Sequence, residues 1–313
     1  HSLTDLFMET IAPQTTLIDL EYLGYPKVIA SCLLEGEGRF ALVDPGPAST
    51  VATLRKKLDQ IGLGVKGLDT ILLTHIHLDH AGVTGTLVKE NPHIRVYVHE
   101  RGAPHLINPA KLLGSAQRLY GDQMDRLWGE FLAVPADNVS ALAGGERLSL
   151  GGRQLDVVYT PGHASHHVSY IDQATGMAFT GDTAGIRIAN GPTILPLTPP
   201  PDIDLEILAR SWEMIQERRP ERLFLTHFGF ADGIKGHFAE LRERMEEWSD
   251  TVEDSLKNGQ GDDDERAAQF EEQVTTKLKR SLTDREVKCY VKGGAVELSW
   301  YGLARYFRKR NPS

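Results

Sequence analysis

Residues 73–82 read Leu-Thr-His-Ile-His-Leu-Asp-His-Ala-Gly, so His75, His77, Asp79 and His80 fall within six positions. No regular element gathers all four side chains. On a strand, 75, 77 and 79 share one face and 80 turns away. On a helix, 75 and 79 align while 77 lies off that face. The apolar, β-prone run Leu-Asp-Thr-Ile-Leu-Leu-Thr precedes the cluster, and His-Ala-Gly-Val-Thr-Gly-Thr-Leu-Val-Lys-Glu follows it. The four residues can converge only if a strand ends near Thr74 and turns into a helix near His80. Imidazole and carboxylate suit zinc, iron or manganese, and a set this dense in scarce residue types points to a metal site.

Further donors stand at other strand ends. His163 follows a strand and a Pro-Gly turn, Asp182 lies in Phe-Thr-Gly-Asp-Thr-Ala-Gly, and His227 closes Leu-Phe-Leu-Thr-His. Alone, each reads as an ordinary hydrogen-bonded loop residue or turn former. Beside the cluster they become expected ligands, because two metals need more donors than four. Asp44, in Leu-Val-Asp-Pro-Gly, would orient a ligand histidine through a hydrogen bond. His166 and His167 are adjacent; on a strand they would point to opposite faces. His167 is therefore read as a supporting residue and His166 is left outside the site. His93, His99, His105 and His237 show no partner pattern and are read as ordinary surface or core residues.

Around these motifs, strands and helices come mixed. Val28–Leu34 and Arg39–Val43 read as a hairpin, and residues 51–61 as an amphipathic helix capped by Ser49 or Thr50. Ile94–Glu100 reads as a strand, and 107–139 as a mainly helical insertion. Residues 146–160 and 166–182 read as two more hairpins, followed by a proline-rich loop. A helix over Asp202–Arg218 is expected to open on Asp202. Hairpins in both halves, with helices between, predict an α+β fold: two mixed β-sheets facing each other with helices outside. The character changes near Gly236, dividing the chain into a catalytic region, 1–235, and a mainly helical extension, 236–313.

Composition narrows the partners. A net charge of −9 over 313 residues disfavours broad binding to nucleic acid or to an anionic membrane. The basic end, Arg305, Arg308, Lys309 and Arg310, reads as solvated. Two distant cysteines, Cys32 and Cys289, suit a reducing compartment. No run of 18 apolar residues suggests a membrane span, and no signal peptide is visible. A cytoplasmic protein with a small-molecule substrate is expected, possible as a homodimer; the His-Ser start leaves room for a removed leader.

The order of these motifs from Thr16 to Phe230 resembles the metallo-β-lactamase-fold hydrolases. The resemblance implies an αββα sandwich of two mixed β-sheets with outer helices. It implies that His75, His77 and His163 hold a first metal, that Asp79, His80 and His227 hold a second, and that Asp182 bridges them. Two divalent cations follow, zinc foremost, with iron or manganese as alternatives. Thr-Pro-Gly-His-Ala-Ser-His-His-Val-Ser-Tyr with Ala-Phe-Thr-Gly-Asp-Thr is most similar to the glyoxalase II-like branch. That branch has Gly-His-Thr-x-Gly-His, whereas this chain has Ala164 for the Thr and His166 for the second Gly. Metallo-β-lactamases proper usually lack the carboxylate at Asp182. Acyl-homoserine lactonases carry a Tyr where Gly185 stands, and flavodiiron proteins a Glu where His77 stands.

The implied chemistry is attack of a metal-bridging hydroxide on an ester, thioester or lactone carbonyl, with Asp79 or Asp182 as proton shuttles. Alternatives are a mono-iron persulfide dioxygenase, using His75, His77 and His163 or His75, His163 and Asp182, and β-lactamase-type amide hydrolysis as a side activity. No Gly-x-Ser-x-Gly nucleophile motif is present. Residues 107–139 and 184–201 lie where they could wall the site; the C-terminal Ser-Trp-Tyr-Gly-Leu-Ala-Arg-Tyr-Phe reads as packing on its own domain, with a cover over the site or a dimer contact as alternatives. Ile186, Ile188, Ile194 and Leu195 read either as an apolar acyl pocket or as packing.

Overall fold

The computed structural model describes residues 8–188 and 191–310. Seven strands form one sheet in the order β1 (Met8–Ala12), β2 (Thr15–Asp19), β3 (Ala30–Gly36), β4 (Arg39–Val43), β5 (Thr70–Leu72), β6 (Arg95–His99) and β7 (Val139–Leu142). Six more, β8 (Arg147–Leu150), β9 (Arg153–Tyr159), β10 (Val168–Asp172), β11 (Met177–Phe179), β12 (Arg222–Leu225) and β13 (Gly229–Ala231), form the second, in sequential order from β8 at one edge to β13 at the other. Both sheets are mixed. β1 to β4 pair antiparallel and β4 to β7 parallel, while β11 and β12 form the parallel pair of the second sheet. The architecture is the αββα sandwich.

Strand patterning follows from burial on both faces. In β3 and β4, Cys32, Leu34, Ala41 and Val43 point between the sheets, where they meet Val157, Tyr170, Phe179 and Phe224. The alternate residues, Leu33 and Leu42, join the core beneath the helices. That core also holds residues of α1 (Val51–Gln60), α2 (Leu78–Ala81), α3 (Thr84–Glu90), α4 (Ala103–Ile107) and α5 (Ala110–Tyr120). After α6 (Met124–Leu127) and α7 (Leu205–Glu217) come four helices in succession. They are α8 (Ile234–Asn258), α9 (Asp263–Leu278), α10 (Asp284–Gly294) and α11 (Val296–Arg310). Phe238, Trp248 and Trp300 from these share one apolar core with Ile186 and Trp212.

Local expectations are corrected at two places. Thr50 takes the N-cap position of α1 but makes no side-chain capping bond: its Oγ1 donates to Pro47 O at 2.9 Å, and Ser49 Oγ donates to Leu127 O at 2.7 Å. The N-cap of α7 is Asp204, whose carboxylate accepts from Ile207 N at 3.0 Å. Asp202 instead accepts from Ser165 Oγ at 2.8 Å. The basic end is exposed, as expected, and two of its side chains make ion pairs: Arg308 is bidentate to Asp263 at 2.7 and 2.8 Å and Arg310 pairs with Glu206. Residues 311–313 lie outside the described residues. Among the described residues, no helix is long and apolar enough to cross a membrane.

The sandwich fixes the edge where the histidine cluster sits. Beyond β5, Leu73 O accepts from Tyr170 Oη at 2.8 Å and Thr74 O accepts from Val168 N at 2.8 Å. The second sheet thus anchors the end of a strand of the first.

Candidate metal centre

β5 runs out at Leu72 and α2 starts at Leu78, so residues 73–77 form the predicted strand-to-helix corner. His77 takes the N-cap position and Asp79 lies in the first turn, where the helix dipole favours a carboxylate. The turn after β9 delivers His163, the loop after β11 delivers Asp182, and the end of β12 delivers His227. Gly181 makes the β11 loop possible. Its φ is +48°, and a Cβ there would lie 2.4 Å from Thr74 Oγ1 and 2.6 Å from His167 Nε2.

Two ligand groups result. His75, His77, His163 and Asp182 each offer an atom within 4.8 Å of the others, and so do Asp79, His80, Asp182 and His227. Asp182 belongs to both. Its Oδ2 lies 3.7 Å from His75 Nε2 and 3.3 Å from His163 Nε2, while its Oδ1 lies 3.1 Å from His80 Nε2 and 3.5 Å from His227 Nε2. His77 faces in through Nδ1, 3.0 Å from His75 Nε2 and 3.1 Å from His163 Nε2.

Outward hydrogen bonds orient these rings. His163 Nδ1 donates to Leu197 O at 2.9 Å, His227 Nδ1 to Val28 O at 3.0 Å, and His80 Nδ1 to Asp44 Oδ2 at 2.8 Å. With the outward nitrogen committed, each inward Nε2 is left for a proton or a cation. His80 Nε2 and Asp182 Oδ1 are buried and, although 3.1 Å apart, are not aligned for a hydrogen bond with each other or with any other described group. Unpaired buried polar atoms are costly, and every ion-pair partner given by the described residues to Asp79 and Asp182 is a histidine. This donor set fits divalent cations.

The electrostatics agree. Burial, then the neighbouring His80 and His77, holds His75 well below its usual pKa; burial and His163 bring His77 down to about 4. Both are therefore neutral ligands at neutral pH. Burial opposes ionisation of Asp79, yet His80 and His227 outweigh it and hold that carboxyl near about 2. Burial also lowers His80, but Asp182, Asp79 and Asp44 together raise it well above its ordinary value. The carboxylates demand positive charge here.

Asp44 is placed to orient the His80 ring. It is fully buried and accepts from Thr74 N at 2.8 Å, Thr74 Oγ1 at 2.7 Å and Thr226 Oγ1 at 3.0 Å besides His80. Asp44→Asn should turn an amide toward His80 Nδ1 and weaken metal binding by about 10–100-fold. Competition against a chromogenic chelator measures this, and unchanged affinity would remove Asp44 from the site's support.

His167 stacks on His75 with centroids 5.0 Å apart, and its Nδ1 lies 2.9 Å from Thr160 Oγ1. The strand argument that separated it from His166 does not hold, because β10 begins only at Val168 and residues 163–167 form a turn. His166 also reaches the site, 6.1 Å from the His75 ring and edge-on to His77 at 5.6 Å. Its signal in the sequence was the departure from glycine at that position. His105 likewise lines the cavity. His99, stacked on Tyr159, and His237, bonded to Ala184 O, are the ordinary residues expected.

A cavity of about 290 Å³ opens over His77, Asp79, Asp182 and His227. α5 walls it with Leu112, Ala116, Leu119 and Tyr120; Trp128, Leu197 and Pro199 to Pro201 continue the wall, and Lys292 and Gly293 come from α10. Trp128 sits between Tyr22 and Tyr120, with ring centroids at 5.8 and 5.0 Å. Arg101 and Lys111 also line it. Ile186, Ile188, Ile194 and Leu195 do not. All four are buried in the core with Leu241 and Trp300, and Ile186 pairs with Leu195 in an antiparallel bridge. Packing is their role.

A centre with one carboxylate between two histidine-rich groups, on the edge of an αββα sandwich, defines a class. Residues 24–227 match the sequence model of the metallo-beta-lactamase superfamily, and the chain belongs to that superfamily. It is 31% identical over 208 residues to a metallo-beta-lactamase fold-containing protein of Sulfurisphaera tokodaii, covering 66% of this chain and 74% of that one. It is 32% identical over 151 residues to a hydroxyacylglutathione hydrolase of Aeromonas salmonicida, covering 48% of this chain and 44% of the hydrolase. Such relatives fit the glyoxalase II-like branch. A metallo-beta-lactamase family protein from Thermus thermophilus superposes with a TM-score of 0.72 at 22% identity, over 96% of this chain and 95% of its own. An archaeal superfamily member from Sulfolobus tokodaii gives 0.66 at 24%, over 92% and 97%. These two likenesses speak to fold alone.

Proposed function

We propose that the chain is a dinuclear metal-dependent hydrolase acting on an ester, thioester or lactone carbonyl. The observation that carries this reading is Asp182, whose two oxygens face two different ligand groups. His75, His77 and His163 would hold one divalent cation and Asp79, His80 and His227 the other, with zinc as the first choice for this nitrogen- and oxygen-rich set. Bound at such a site, divalent cations supply an activated water at neutral pH and polarise a carbonyl oxygen.

The chain's residues do the rest. Asp79 is the more open of the two catalytic carboxylates, with its side chain 20% exposed against 5% for Asp182, and can hold a proton at the cavity floor. Leu112, Ala116, Leu119 and Trp128 offer an apolar wall to the acyl part of a substrate. A one-iron dioxygenase would leave Asp79, His80 and His227 without a task, so their convergence favours hydrolysis.

Protein purified without added metal is expected to carry about two metal ions per chain. It should hydrolyse at least one class in a panel of esters, thioesters and lactones. Chelation should stop turnover and lower the melting temperature, and zinc should restore both. One iron per chain, with sulfite formed from a persulfide, would overturn the reading.

A further inference from the structure

The cavity wall holds a histidine that the metal centre does not use. His166 Nδ1 accepts from the backbone N–H of Ile76 at 3.5 Å. A ring nitrogen that accepts a hydrogen bond carries no hydrogen, so the ring's single N–H must be at Nε2. That Nε2 has no hydrogen-bond partner among the described residues, and the side chain lines the cavity. The imidazole is thus held as a hydrogen-bond donor with its own donor group unspent.

Its position is defined by two ligand rings. It lies nearly parallel to His75, with 14° between planes, and perpendicular to His77 at 90°. It therefore stands on the side of the His75, His77 and His163 group. Tyr22 and Tyr120, which also line the cavity, stand against Trp128. The neighbouring Ser165 hydroxyl is already committed to Asp202. His166 is only 9% exposed, so a hydrogen bond made there is little diluted by water.

We propose that His166 is a catalytic residue of this site, its neutral Nε2–H donating a hydrogen bond to the substrate carbonyl oxygen as that oxygen becomes an oxyanion. No proton changes hands; the bond strengthens as negative charge builds, which lowers the barrier more than it tightens substrate binding. The proposal rests on the hydrolase reading above.

Two variants separate donor from filler. His166→Phe keeps a ring of similar size without the N–H, and His166→Gln places an amide N–H near the position of Nε2. With the substrate that the panel identifies, His166→Phe should lower kcat by about 10²–10³-fold, with KM within about threefold and metal content unchanged. His166→Gln should recover to within about tenfold of the wild type. A phosphonate mimic of the tetrahedral oxyanion should lose affinity in His166→Phe by a factor close to the loss in kcat/KM, and regain it in His166→Gln.

Unchanged kcat in His166→Phe overturns the proposal and leaves the hydrolase reading standing. So does a His166→Gln protein with full metal that is as slow as His166→Phe. Should His166→Phe fail to fold or to hold metal, phosphonate binding by His166→Gln decides: near wild-type affinity supports the donor, and loss of affinity overturns it. A wild-type protein that hydrolyses nothing in the panel removes the reading and the proposal together.

Discussion

Asp182→Ala is expected to abolish hydrolysis and to lower the metal content of the purified protein. Among the described residues, no other side chain belongs to both ligand groups. Its removal takes one ligand from each group at once and leaves the inward nitrogens of His80, His163 and His227 without their shared anion. Losing a partner one step removed from a metal already costs about 10–100-fold, so loss of a shared ligand should exceed about 100-fold in kcat/KM. Steady-state rates with elemental analysis on the same preparation test this. Undiminished turnover would refute the shared-ligand role, whatever the metal content.

The second large effect concerns stability. Arg153, on β9, donates from Nη2 to Asp172 Oδ2 at 2.6 Å and to Thr15 Oγ1 at 2.6 Å. From Nη1 it reaches Gln14 O at 2.6 Å and Glu35 O at 3.1 Å. The side chains of the pair are 4% and 0% exposed, and these bonds tie the second sheet to the β1–β2 turn and to β3 of the first. Arg153→Ala would bury the Asp172 charge without its cation, at a cost of about 3–5 kcal/mol. Removing both charges in Arg153→Met/Asp172→Asn should cost less than the single change, because no uncompensated charge remains. Urea unfolding at neutral pH measures both. A single variant within about 1 kcal/mol of the wild type would show a link no stronger than an exposed ion pair.

Nothing in the sequence marked that link, although much of the site was legible. His75, His77, Asp79 and His80 declared themselves by density, and His163, Asp182 and His227 by standing at strand ends. Asp44 was read as the support of a ligand histidine, and its carboxylate meets His80. Where reading failed or left alternatives open, the missing quantity was direction. Ile186, Ile188, Ile194 and Leu195 were apolar enough to be buried, but hydrophobicity does not say whether against a substrate or against α8. The helix opening after the proline loop offered Asp202 and Asp204 two positions apart. Only the path of the chain shows that Asp204 reaches Ile207 N while Asp202 turns to Ser165.

His166 illustrates the same limit. Alternation along a strand would have sent it away from the centre, but the strand begins two residues later and a turn obeys no alternation. The short-range order of residues thus determined which groups could ligate a metal and the layered fold that presents them, because ligand chemistry and periodicity are properties of neighbours in the chain. The tertiary structure alone decided what faces the cavity: the wall contributed by α5, the cations Arg101, Lys111 and Lys292, and the His166 donor. Those groups come from segments far apart in sequence, and their meeting depends on how the sheets and helices pack.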